Sequence, residues 1–259
     1  MNNNRLNQQE AEQRLCQFPS LTGVLGPDWF TQEYNKPIEQ WSLVTGWISK
    51  IDNDIFGDHF EQCLKDLDSA LEILAPPHLS KATWQRVQRK VREHSDRANF
   101  KGTLSEIAIC RFLSEKQFSC ELEIRLNSES NKDVDIRTIL PDSIIMHIEV
   151  QWLSPSESSE RGASIASIYG EGYPLDYDEE KLRVKYKVFD KTSKFTAEDI
   201  TLVALDCTTS QELGGDDGYS VIEEVLHEAY TGLNWEGAPT GFGKNKVDIA
   251  IQKYVDGVI

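Results

Sequence analysis

Six polar residues at two-residue spacing sit inside an otherwise apolar stretch, and they are where this sequence could do chemistry. In NKDVDIRTIL, Asp133, Asp135 and Arg137 alternate with Val134, Ile136, Thr138 and Leu140. In IIMHIEVQWL, His147, Glu149 and Gln151 alternate with Ile144, Met146, Ile148, Val150 and Trp152. Period-two alternation is the mark of a β-strand, so each set shares one face of its strand. Pro141-Asp142 between the runs reads as a turn. If the strands pair, carboxylates from both gather on one face of the sheet. Clustered carboxylates repel and resist burial, and a metal ion is a natural reason to keep them together.

Positioning such a cluster needs a sheet with helices around it. Cys120 to Leu126 reads as a preceding strand, and KGTLSEIAICRFL (101–113) as the helix before it. That helix is expected to start at Gly102-Thr103, with Thr103 and Glu106 in the S/T-x-x-E pattern of a capping box. Glu106 also shares its face with Ile109, Cys110 and Leu113, which turns it toward packed structure. A capping role and a functional role are both open and do not exclude each other. After the stretch, Glu180 to Phe195 reads as a basic helix and Asp199 to Thr208 as a buried strand.

The arrangement from about Phe100 to Thr208 resembles the PD-(D/E)XK nuclease superfamily, whose restriction-endonuclease-like core is αβββαβ. Its signature is an acid at a strand start, then an acid, any residue and a lysine on the next strand. Here Asp135 matches the first acid, Glu149 the second, and Gln151 stands where the lysine usually is. Both active restriction enzymes and inactive relatives carry glutamine at that place. The resemblance implies an α+β fold and a metal-dependent phosphodiesterase, with DNA favoured over RNA as substrate and restriction or phage defence as a setting. It implies Mg2+, or Mn2+, held by Asp135, Glu149 and the backbone carbonyl of Val150, with Glu106 acting through a water or at a second ion. Gln151 cannot take a proton, so it could only orient a water. Lys185 or Lys187 on the following helix is a candidate to supply the missing ammonium. Asp133 competes with Asp135, which is preferred for its nearer register to Glu149. His147 points to the same side as Glu149 and is read as a locally bonded strand histidine rather than a ligand.

The remaining chain is read as follows. An α-helical region covers 1–99, and the nuclease-like domain covers 100–259 with a mobile insertion at about 154–178. Pro19 to Pro37 reads as irregular, Ile38 to Ile55 as a helix, and Phe60 to Leu74 as an amphipathic helix stopped by Pro76-Pro77. Ser80 or Lys81 opens a basic helix with Trp84, Val87 and Val91 as its buried stripe. Ser220 to Tyr230 reads as a helix and Asn245 to Ile259 as a strand.

At 259 residues the chain is long enough for a sizeable core. Its five cysteines are scattered without paired spacing, which suits reduced thiols in a cytoplasmic protein and speaks against a zinc site. No apolar run approaches the roughly 20 residues that span a bilayer, and the polar start MNNNRLNQQEAEQ is unlike a signal peptide. The net charge of -16 argues against a protein that coats nucleic acid indiscriminately. The charge is uneven: 81–101 holds seven basic and two acidic residues, whereas 198–228 holds nine acids and no Lys or Arg. Basic elements on an acidic body suit a selective nucleic-acid site, and equally a protein-partner face, a homodimer or solvated helices. A nuclease-like fold that binds or assembles without cutting is therefore the competing reading.

Overall fold

The computed structural model describes residues 5–26, 28–50, 60–92, 97–125, 133–153, 177–192, 200–206 and 257–258. The protein is mixed α/β. Its helices are α1 (Gln8–Leu15), α2 (Pro19–Leu25), α3 (Trp29–Tyr34), α4 (Leu43–Ile48), α5 (Phe60–Leu74), α6 (Lys81–Arg92), α7 (Arg97–Glu115) and α8 (Tyr177–Thr192). Its strands are β1 (Ser119–Arg125), β2 (Asp133–Ile139), β3 (Ile145–Trp152), β4 (Ile200–Asp206) and β5 (Gly257–Val258), in the sheet order β1-β2-β3-β4-β5. β3 runs parallel to β4, and β4 to β5. A parallel neighbour needs a long crossover, and α8 lies in the chain between β3 and β4.

The chain forms two compact units, one of residues 1–124 and 136–140, the other of 125–135 and 141–259. In the first, α5 places Leu64, Leu67, Leu71 and Leu74 on one buried stripe and ends at the Pro76-Pro77 break. In the same unit Leu21, Phe30, Ile48, Phe100 and Leu122 are fully buried. Local caps fix where these helices begin. Asn7 and Glu10 form a capping box at α1, and Ser42 and Ser80 accept the N–H groups of Thr45 and Thr83 at 3.1 and 3.2 Å. α7 closes in a Schellman turn: Phe118 N–H bonds Leu113 O at 3.0 Å and Gln117 N–H bonds Ser114 O at 2.9 Å, with Gln117 at φ 64°.

Three expectations are corrected in this unit. The segment from Pro19 to Pro37 is not irregular, because Pro19 opens α2 at a position where its missing N–H costs nothing. Leu21, Val24 and Leu25 then bury one face of α2. The helix expected over Ile38–Ile55 is instead a 3-10 turn at Ile38–Gln40, an extended break at Trp41, and α4. Ser42 caps α4 at that break; residues 51–59 lie outside the described residues. Finally, α7 starts at Arg97 rather than Gly102-Thr103. Thr103 is therefore mid-helix, its hydroxyl donating to Asn99 O at 3.2 Å, and it caps nothing.

In the second unit Val134, Ile148, Leu153, Val184, Val188 and Val203 are buried to within 1 %. β2 keeps its alternation, with Val134, Ile136 and Thr138 buried and Asp133, Asp135 and Arg137 half-buried. β3 does not: His147, Ile148, Glu149 and Val150 are buried consecutively. Both faces of this central strand are covered, so its polar face is enclosed as well as its apolar one. Among the described residues no helix is long and apolar enough to cross a membrane. The expected insertion at 154–178 lies outside the described residues apart from its last two, which already belong to α8. The helix expected at Ser220–Tyr230 also lies outside them, and of the strand expected at Asn245–Ile259 the structure describes β5 alone.

Candidate metal centre

Asp135 and Glu149 come together through the backbones of β2 and β3. The Asp135 carboxylate accepts the Val150 N–H at 2.8 Å, and the Glu149 carboxylate accepts the Asp135 N–H at 3.3 Å. Each acid is thus held by the main chain of the other's neighbourhood, which fixes both without help from long side chains. Glu149 has no exposed surface, while the Asp135 side chain keeps 20 % of its surface.

Burial of a carboxylate costs several kcal/mol unless a cation offsets it (roughly, per ion). The offset comes from Lys191, whose Nζ lies 3.2 Å from Glu149 and 3.8 Å from Asp135. The same ammonium donates to Val150 O at 3.4 Å. Lys191 lies on the same helix as the candidates Lys185 and Lys187. Val184, Val188 and Lys191 fall at i, i+4 and i+7 on one stripe of α8, the valines buried and Lys191 half-buried, whereas Lys187 is exposed. Lys185 is buried. A stripe of two valines ending in a lysine is the signal in the sequence that marks Lys191.

Gln151, two residues beyond Glu149, is half-buried and donates its amide to Trp152 O at 2.6 Å. His147 is buried at 3 % exposure, opposite Thr201 in the register, as Glu149 is opposite Val203. Glu106 belongs to the other unit. There it is buried and bonded to Lys90, which also lies 3.4 Å from Glu123. Glu106 thus bonds a side chain on α6, and of its two open roles the capping one falls away.

Three basic side chains of α6 bond within their own unit, although Arg89 and Arg92 stay exposed. Arg86 donates to Leu122 O, Arg92 to Val24 O, and Arg89 pairs with Glu123. These bonds tie α6 to β1 and α2. Cys110 and Cys120, read as scattered, meet in the core with their sulfurs 2.8 Å apart, both as free thiols. The bond to Cys120 and burial push the Cys110 thiol well above its ordinary value, so it is a poor nucleophile.

The donor set beside Lys191 is two carboxylates and a main-chain carbonyl. All are hard oxygens, and they fit a small divalent ion such as Mg2+ or Mn2+, which keeps several waters and needs few protein ligands. Among the described residues no group of three or more His, Cys, Asp or Glu side chains is placed to hold a metal. Beside Lys191 there are three donor groups only with the backbone carbonyl of Val150. No protein-family model, curated protein or solved structure matches the chain.

Proposed function

We propose that this protein is a divalent-metal-dependent nuclease of the PD-(D/E)XK type, cutting phosphodiester bonds in DNA in the cytoplasm, with restriction or phage defence as the setting. One observation carries the reading: the Asp135 and Glu149 carboxylates and the Val150 carbonyl all lie within 4 Å of a single positive charge, at 3.8, 3.2 and 3.4 Å. The chain order α7-β1-β2-β3-α8-β4, with β3 parallel to β4, supports a restriction-endonuclease-like core.

In this reading Asp135 and Glu149 hold the ion through hard oxygens, and Val150 adds its main-chain oxygen. A bound divalent ion would supply an acidified water and charge neutralisation at the phosphate. Lys191 supplies the ammonium that Gln151 lacks, close enough to the acids to hold a phosphate oxygen beside them. Gln151 orients water and takes no proton. Glu106 bonds Lys90 within its own unit.

A second reading has its own support. Lys191 already offsets part of the charge of the two acids, and Arg86, Arg89 and Arg92 make bonds within their own unit. A nuclease-like fold that binds or assembles without cutting would look the same. Incubation of plasmid, linear DNA and RNA with Mg2+ or Mn2+ separates the two. The nuclease reading expects cutting that chelation stops and that Glu149→Gln lowers at least a hundredfold. Absence of cutting on all three substrates in either metal refutes it.

A further inference from the structure

The oxygens assigned to a metal already surround a cation. Lys191 Nζ lies 3.2 Å from Glu149, 3.4 Å from Val150 O and 3.8 Å from Asp135. We infer that Lys191 is a tethered stand-in for the metal: its ammonium and a divalent ion exclude each other at this position, so the metal enters only by displacing the side chain. The inference rests on the reading that Asp135 and Glu149 take a divalent ion.

Two positive charges cannot share this place cheaply. An ion bound by these oxygens at about 2.1 Å, on the face they turn to Lys191, falls inside the contact distance of the ammonium. Glu149 has no exposed surface, so little water is present to screen the repulsion. Of the partners, the lysine is the one able to leave. Both acids are anchored by backbone N–H groups, Asp135 on Val150 and Glu149 on Asp135. Lys191 sits in the last turn of α8 on a flexible four-carbon stem, and its side chain keeps 17 % of its surface exposed. A lysine suits this task where an arginine fork would lock the carboxylates.

The consequence is a site whose charge is partly offset without metal, and that takes up metal at a cost in affinity. The ammonium, once displaced, remains tethered beside the phosphate position, so one residue both guards the site and serves it.

The test is calorimetric titration of manganese(II) into the full chain, Lys191→Met and Lys191→Arg. The inference expects Lys191→Met to bind manganese about tenfold more tightly than the unaltered protein, within the usual range for coupled sites. Lys191→Arg keeps the charge and is expected to bind no tighter than the unaltered protein. Equal or weaker binding by Lys191→Met overturns the inference, as does a gain in Lys191→Arg equal to that in Lys191→Met, or no uptake by any of the three. If Lys191→Met is unfolded without metal, manganese is expected to restore its circular dichroism; no recovery overturns the inference. Plasmid cleavage run alongside separates this idea from the activity. Cutting with unshifted affinities removes the stand-in role alone, and shifted affinities without cutting remove the nuclease reading alone.

Discussion

Glu149 carries its carboxylate with no exposed surface, and Lys191 at 3.2 Å is the cation beside it. Removing one partner of a buried pair leaves an uncompensated charge, typically at a cost of about 3–5 kcal/mol. Lys191→Met in metal-free buffer is therefore expected to lose roughly that amount in urea unfolding. Adding Glu149→Gln should recover part of the loss; full additivity of the two changes would show that the pair is not coupled. A second ion pair sets a pH dependence. Arg14 is buried, donates to Trp47 O and Ile48 O at 2.7 and 3.0 Å, and bonds Glu61 at 2.6 Å. That bond, aided by the charges of Arg14 and Lys65, holds the Glu61 carboxyl below its ordinary value of 4.5. A carboxyl depressed in the folded state binds fewer protons there than in the unfolded chain. Its contribution is complete above pH 4.5 and fades as the pH falls through the lower folded value. Glu61→Gln should remove this part of the acid loss, read as a flatter stability curve below pH 4.5. An unchanged slope would show that Arg14 serves the carbonyls of α4 alone.

The end of α7 offers a test at the level of elements. Gln117 adopts φ 64° at the residue that closes the helix, a conformation that favours glycine. Gln117→Gly is expected to stabilise the protein by about 0.5–1 kcal/mol in chemical denaturation; a loss would mean that the side chain contributes a contact of its own. Elements with a clean period were legible in the sequence. The Leu64, Leu67, Leu71 and Leu74 stripe defines α5, and strict alternation defines β2. What failed had competing local signals. Pro19 punctuates a chain in one context and opens a helix in another, and in α2 it opens one. Thr103 and Glu106 match a capping box, yet the helix had already begun at Arg97. Alternation in β3 correctly placed Glu149 beside His147 on one face, but could not say that this face is covered too. Burial on both sides depends on what packs over the strand, and that information lies far away in the chain. Lys191 shows the same limit: its stripe with Val184 and Val188 is readable, whereas its meeting with Glu149 spans 42 positions and needs the fold.

At the scale of the molecule, a net charge of -16 sets a repulsive background for any polyanion. Contacts with nucleic acid then depend on local cations, and the α6 cations Arg86, Arg89 and Arg92 hold that helix to its own unit. Any nucleic-acid contact of the proposed nuclease must then draw on cations beyond these three. The central claim is that Asp135, Glu149 and the Val150 carbonyl trap a divalent ion. The most direct measurement is a manganese(II) titration of the protein beside Asp135→Asn, followed by calorimetry, with thermal melting as a check on folding. The account predicts saturable uptake by the unaltered chain and none by Asp135→Asn, which stays folded. Equal uptake by the two proteins, or none by the unaltered chain, would contradict it.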